Sequence, residues 1–182
     1  MSEAKHVVLG VTGGIAAYKA ADLVSKLTSK GVEVKVVMTQ AATELVTPRT
    51  FQTLSRNNVL TSLWDTPDWK PEHVALSNWA DLMVIAPCTA NTLAKIACGI
   101  GDDALSTCVI ANQAPLLVAP AMNPAMWNNP AVQNNVAILK QRGVHFAGPV
   151  CGHVACGADG TGRMVEPLEI MEKIFELLNI DK

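Results

Sequence analysis

The stretch Val7–Met38 reads VVLGVTGGIAAYKAADLVSKLTSKGVEVKVVM, and it decides the fold. VVLGV (Val7–Val11) is a continuous apolar run ending in a glycine turn. Such a run is expected of a strand buried on both faces of a parallel sheet. From about Ile15 to Ser29, Ala20, Leu23, Val24 and Leu27 fall on one helical stripe. Gly31 is placed to end that helix, because glycine accepts the left-handed conformation on which helices close. VEVKVVM (Val32–Met38) is the second strand. Strand, turn, helix and strand within about 33 residues make a βαβ unit, which sets the two strands parallel.

The same alternation runs through the rest of the chain. Pro48–Leu54 reads as a short helix, and Leu63–Glu72 (LWDTPDWKPE) as a surface loop. Asp81–Ala86 (DLMVIA) is a buried strand closed by Pro87, and helices are expected around Thr89–Ala97 and Asp103–Ala111. Pro115–Ala119 is the next strand, closed by Pro120. Val132, Val136 and Leu139 mark a helix that Gly143 ends, and Val144–Ala147 is a last short strand. Cys151–Arg163 reads as a glycine-rich loop, and Pro167–Leu178 as a final helix with Met171, Ile174, Phe175 and Leu178 on one face. The expected fold class is α/β: a doubly wound parallel sheet in three layers, Rossmann- or flavodoxin-like, forming a single domain over residues 1–182.

Composition narrows the function. Hydrophobic residues are 49% of the 182, and charged residues only 16%, against about 25% in an ordinary domain. A chain so poor in charge is expected to cover part of its surface with another subunit or a ligand. The net charge of −2 and the absence of a basic block disfavour an electrostatic nucleic-acid binder. No apolar run approaches the roughly 18 residues of a membrane span. Five cysteines, an odd number with no CxxC pair and no secretory h-region ahead of them, read as reduced thiols of a cytoplasmic protein.

Several motifs carry chemistry, each with a plainer structural reading. The turn GVTGG (Gly10–Gly14) leads into a helix N-terminus, where backbone N–H groups and the helix dipole favour an anion such as phosphate. It is neither GxGxxG nor a P-loop, and the second strand ends at Thr39 where a dinucleotide site wants an acid. A mononucleotide phosphate therefore suits it better than NAD; alternatively, the glycines serve only strand–helix packing. PCTANT (Pro87–Thr92) stands at the carboxyl end of a central strand, where open α/β sheets bind ligands. Its Thr89 is equally an ordinary N-cap. PAMNPAMW (Pro120–Trp127) gathers an amide, two thioethers and an indole after the next strand, and Asn123 can hold a carboxylate or an amide. His73 is a candidate acid or base, or simply an exposed histidine. In the glycine-rich loop Cys156 can donate a proton. Cys151, His153 and Cys156 lack both a fourth ligand and a zinc spacing, so no metal is assigned. Cys88, Cys98 and Cys108 read as buried small hydrophobes.

Together, GVTGGIAAYK, His73 followed by NWAD (Asn78–Asp81), PCTANT, PAMNPAMW and CGADGTGRM (Cys156–Met164) resemble, in order and spacing, the flavin-containing cysteine decarboxylases. The resemblance runs from about Lys5 to Leu178. It implies FMN as cofactor, with Gly13, Gly14 and Thr39 on the phosphate side, Pro87, Cys88, Thr89, Ala90 and Asn91 in the family's PASANT-type loop, and Ala121 near the ring. Cys88 and Thr89 depart from the PASANT residues, and Thr89 keeps the hydroxyl. It further implies that Asn123, with Met122 and Met126 shaping the pocket, holds the substrate's carboxylate or adjacent amide. His73 would assist oxidation of the thiol-bearing carbon, and Cys156 would protonate the reduced product. The family oxidises that carbon transiently so that carbon dioxide can leave without an unstabilised carbanion.

Cys156 fits the branch that re-reduces the enethiol, acting on 4′-phosphopantothenoylcysteine to give 4′-phosphopantetheine in coenzyme A biosynthesis. The alternatives are a lantibiotic-type peptidyl-cysteine decarboxylase, which stops at the enethiol, and a non-catalytic flavin-binding regulatory subunit. The resemblance also implies homotrimers, often assembled as dodecamers, an active site near a subunit boundary, and a phosphopantothenoylcysteine synthetase either fused or separate.

Overall fold

A computed structural model describes residues 4–64, 71–153, 157 and 159–180. In chain order the elements are β1 (His6–Val11), α1 (Ala17–Ser29), β2 (Glu33–Met38), α2 (Gln40–Thr43), α3 (Pro48–Ser55), β3 (Val59–Leu60), α4 (Glu72–Trp79), β4 (Leu82–Cys88), α5 (Ala90–Cys98) and α6 (Ala104–Ala111). They continue with β5 (Leu116–Pro120), α7 (Pro124–Trp127), α8 (Pro130–Gln141), β6 (His145–Phe146), β7 (Val150–His153), β8 (Asp159–Arg163) and α9 (Pro167–Leu178).

The main sheet has the order β3-β2-β1-β4-β5-β6, and every pair in it is parallel. Successive side chains of a strand point to opposite faces, and β1 shows the result. Val7, Leu9 and Val11 join a core with Leu23, Val24 and Leu27 of α1 and Ile170 and Ile174 of α9. Val8 joins the opposite core with Met83 and Ile85 of β4, Leu93 of α5, Leu105 of α6 and Leu139 of α8. Gly10, on that second face, is needed for close approach: a Cβ there would lie 2.5 Å from Leu105 Cδ1. Both faces are covered, which is why these strands read as unbroken apolar runs. The chain winds outward from β1 through β2 to β3, then returns to β4 on β1's other side. The carboxyl ends of β1 and β4 therefore flank the topological switch point, where such sheets open a crevice.

Four expectations are corrected. Pro87 does not close the strand; β4 continues to Cys88, because the register shifts between Ile85 and Cys88 and a bulge tolerates a proline. The segment Cys151–Arg163 is not a plain loop: β7 and β8 pair antiparallel, with His153 opposite Asp159. The expected loop reaching Glu72 meets a helix there, α4, whose Ser77 hydroxyl donates to the carbonyls of His73 at 2.6 Å and of Cys108 at 3.2 Å. Cys98 is exposed rather than buried, since it is the last residue of α5 and Gly99 closes that helix.

Candidate active site

The loops after β1, β4 and β5 and the β7–β8 hairpin enclose a cavity of about 770 Å³, within the size range of small-molecule sites. The first loop supplies Gly13, Gly14, Ile15 and Ala16 and opens α1. A thirteen-residue helix begins here with no side chain capping it, and so brings its positive dipole end to this point. Gly13 packs tightly behind the loop, where a Cβ would meet Ala41 Cβ at 2.5 Å.

The second loop is tied to the first by Thr12, which is 1% exposed. Its hydroxyl donates to the Pro87 carbonyl at 2.7 Å and accepts from the Thr89 amide at 3.2 Å. This crosslink at the switch point was not among the sequence candidates; its signal is a lone hydroxyl inside an otherwise apolar and glycine-rich run. Thr89 caps α5, accepting from the Thr92 amide at 3.4 Å, and lines the cavity with Ala90.

The third loop brings Ala121, Met122, Asn123 and Met126 to the same cavity. Asn123 caps α7 through its Oδ1, which accepts from the Ala125 amide at 2.7 Å. The Met122 amide donates to the Gly162 carbonyl at 2.9 Å, and a Cβ on Gly162 would lie 2.3 Å from the Met122 oxygen. Glycine is required there so that the hairpin can lie directly on the asparagine loop.

Eight residues from the sequence motifs thus share one wall: Gly13, Gly14, Thr89, Ala90, Ala121, Met122, Asn123 and Met126. Thr39, Pro87, Cys88, Asn91 and His73 are not part of it. Thr39 caps α2, its hydroxyl accepting from the Ala42 amide at 3.3 Å. Pro87 stands behind Gly14, its ring carbons 3.6 Å from where a Cβ would be. Cys88 is fully buried, and burial pushes its thiol far above the ordinary range, so it stays neutral. Asn91 is exposed on the first turn of α5. His73 lies in the first turn of α4, a helix that packs on α6 and on the sheet face opposite α1. Cys156 lies outside the described residues. Among the described residues no group of three or more His, Cys, Asp or Glu is arranged to hold a metal.

The cavity also holds Tyr18, Lys19, His153, Arg163 and Met164, to which the sequence motifs assigned no role at a flavin site. Lys19 and Arg163 are its cations, and each bonds the carboxylate of Glu166. His153 Nδ1 stands 3.3 Å from Asp159 Oδ1 across the hairpin. The wall combines apolar and thioether side chains, a hydroxyl, an amide, a helix N-terminus and two cations. That set suits a flat aromatic group with an anionic tail.

The family model described as Flavoprotein matches residues 1–179. The bifunctional coenzyme A biosynthesis protein CoaBC of Vibrio vulnificus is 48% identical over 176 residues, covering 94% of this chain and 44% of that protein. Its counterpart from Bacillus subtilis is 46% identical over 169 residues, covering 92% of this chain and 42% of that protein. The chain therefore spans less than half the length of these relatives. Among solved structures, a PPC decarboxylase mutant complexed with pantothenoylaminoethenethiol superposes with a TM-score of 0.86 at 32% identity, covering 97% of this chain and 100% of that one. The FMN-dependent cysteine decarboxylase SpaF superposes with a TM-score of 0.82 at 34% identity, covering 97% of each chain.

Proposed function

The chain belongs to the flavoprotein family, and from that premise we propose that it is an FMN-dependent carboxy-lyase. Its substrate is 4′-phosphopantothenoylcysteine, its product 4′-phosphopantetheine, and its setting coenzyme A biosynthesis. The observation that carries this reading is the single cavity in which the GVTGG, PCTANT and PAMNPAMW segments converge with the hairpin.

The wall chemistry fits FMN. Gly13 and Gly14 at the start of α1 would receive its phosphate, and the small Ala90 and Ala121 would admit a ring beside Thr89. Once bound, FMN supplies a hydride acceptor that takes two electrons from the thiol-bearing carbon and later returns them. Asn123 would orient the substrate carboxylate, and Met122 and Met126 would exclude water from it. His73 would hold or take the thiol proton, and Cys156 would give a proton to the product carbon.

His73 is absent from the cavity of its own chain, which favours a site completed by a neighbouring subunit. Ile15, Tyr18 and Met126 line the cavity and are 63%, 62% and 49% exposed, so apolar surface remains for a neighbour to cover. A homotrimer, alone or assembled as a dodecamer, accounts for both features. We further read residues 1–182 as one flavoprotein domain, acting with a fused or separate phosphopantothenoylcysteine synthetase. The four described cysteines are free thiols, in keeping with a cytoplasmic location. No helix among the described residues is long and apolar enough to cross a membrane.

The test is the chromophore and its turnover. The purified protein should be yellow, release FMN on denaturation, and liberate carbon dioxide from 4′-phosphopantothenoylcysteine. A colourless protein that does not bind added FMN would refute the cofactor. A yellow protein without turnover would leave only a flavin-binding module.

A further inference from the structure

Substrate and product of the proposed reaction differ by one anion, the carboxylate that leaves as carbon dioxide. A carboxylate accepts at about four lone-pair sites, and a single side-chain amide supplies at most two N–H donors. Asn123 therefore leaves it short of partners. Ala121, Met122 and Met126, the wall beside Asn123, carry no side-chain N–H or O–H.

The β7–β8 hairpin brings a donor to this side of the cavity. Gly162 lies against Met122 and Gly160 against Pro124, where a Cβ would stand 2.3 Å and 2.9 Å from the nearest atom, so β8 runs along the asparagine loop. His153 pairs with Asp159, the residue beyond Gly160, and lines the same cavity. Arg163 pairs with Val150, further back along the hairpin, roughly 10 Å away at about 3.3 Å per residue. The Lys19–Glu166–Arg163 cluster is thus a separate feature of the wall.

Asp159 decides how the imidazole presents itself. His153 Nδ1 stands 3.3 Å from Asp159 Oδ1. A neutral imidazole has a single N–H. Given to Asp159, it leaves a lone pair at Nε2, which repels an anion; protonation places an N–H there as well. Histidine makes that change between about pH 5 and 8. The two side chains are 69% and 82% exposed, so their pairing adds little to stability. Among the described residues, the other titratable groups on the wall are Tyr18 and Lys19 of α1 and Arg163 of β8, and Glu166 bonds both cations. Cys151 is exposed on β7, on the same strand as His153.

We propose that His153, oriented by Asp159, binds the substrate's carboxylate as an imidazolium beside Asn123, and so favours the substrate over its decarboxylated product. This rests on the reading above that the substrate is 4′-phosphopantothenoylcysteine. The charge that the imidazolium holds departs in the reaction, so the contact favours bound substrate and not the transition state. Its loss should raise KM and leave kcat unchanged.

The experiment measures KM for 4′-phosphopantothenoylcysteine and Ki for 4′-phosphopantetheine on the FMN-loaded protein from about pH 6 to pH 9, across the histidine range. Both compounds carry the phosphate and the thiol, so the ratio KM/Ki cancels the titration of those groups. In the wild type that ratio should rise about tenfold over the range, the low end for a hydrogen bond between charged groups; this arm needs no variant to fold. His153→Leu should raise KM about tenfold near pH 6 and not at all near pH 9, with kcat and Ki unchanged. Asp159→Asn should move the rise in KM to lower pH, because the carboxylate that favours the charged ring is gone. His73 is common to the wild type and both variants. A KM/Ki ratio in the wild type that does not change with pH overturns the proposal while turnover upholds the decarboxylase reading. A KM raised equally at every pH in His153→Leu assigns the residue to the hairpin's structure and also overturns it. So does a matching change in Ki, which would place the imidazole on a group that the product retains. Failure of the wild type to turn over refutes the decarboxylase reading, and this proposal with it.

Discussion

Replacing Thr12 with valine removes one hydroxyl and changes almost nothing else in shape. In the native protein that hydroxyl donates to the Pro87 carbonyl at 2.7 Å and accepts from the Thr89 amide at 3.2 Å. Thr12 is 1% exposed and Pro87 is buried, so water cannot replace the lost donor. An orphaned buried carbonyl costs about 1–3 kcal/mol, and the half-buried Thr89 amide adds about 0.5–1.5 kcal/mol. The expected loss is about 2–4 kcal/mol. For a chain of this length each kcal/mol moves Tm by about 2–4 °C, so Tm should fall by about 5–15 °C in a thermal melt. Thr12→Ser restores both bonds at the expense of one methyl group and should recover most of the difference. A Thr12→Val protein that melts within 2 °C of wild type (~2 °C, well below the expected shift) would refute the crosslink as a structural tie.

Other consequences can be checked independently. Burial raises the carboxyl of Asp103, but its bonds from Lys95 and Ser106 outweigh this and leave it below the usual range. Its stabilisation is therefore complete above the ordinary aspartate pKa and is lost as pH falls through the lower, native value. Asp103→Asn keeps a capping side chain and should cost roughly 1 kcal/mol at neutral pH. That difference should shrink below about pH 4 in melts across the acid range. Native-state alkylation followed by peptide mass mapping should label Cys98 and Cys151, which are exposed. It should spare Cys88 and Cys108, the latter with its thiol pushed up to about 12 by burial, with the charges of Glu72 and Asp103 adding to it. His73→Asn should retain FMN and lose carbon dioxide release; unchanged turnover would remove His73 from the chemistry. Cys156→Ser should accumulate an enethiol-type product, visible by mass spectrometry as two hydrogens short of 4′-phosphopantetheine.

The sheet is legible in the sequence because β1, β4 and β5 are buried on both faces, so hydrophobicity alone marks them. The helices α1 and α9 are legible because each buries one stripe. Helix α4 is not, since it follows a Pro- and Trp-rich stretch and is held partly by a Ser77 hydroxyl bonded to α6. The β7–β8 hairpin hides for another reason: its pairing is a backbone matter, and its glycines leave no side-chain alternation to read. Within the site, the three motif loops converge because each follows the carboxyl end of an adjacent parallel strand, a consequence of topology that follows from the βαβ reading. Thr39 illustrates the limit. Its hydroxyl caps α2, a local role that the sequence does not separate from contact with a phosphate. The Lys19–Glu166 bond is not legible in the sequence because it links residues 147 apart.

The central claim is a redox-neutral decarboxylation on flavin, and its most direct measurement is the stoichiometry of one anaerobic reaction. With 4′-phosphopantothenoylcysteine and no added oxidant or reductant, carbon dioxide and 4′-phosphopantetheine should form one to one over many turnovers, with the flavin oxidised at the end. Carbon dioxide released in amounts no greater than the flavin, with an enethiol as the product, would contradict it.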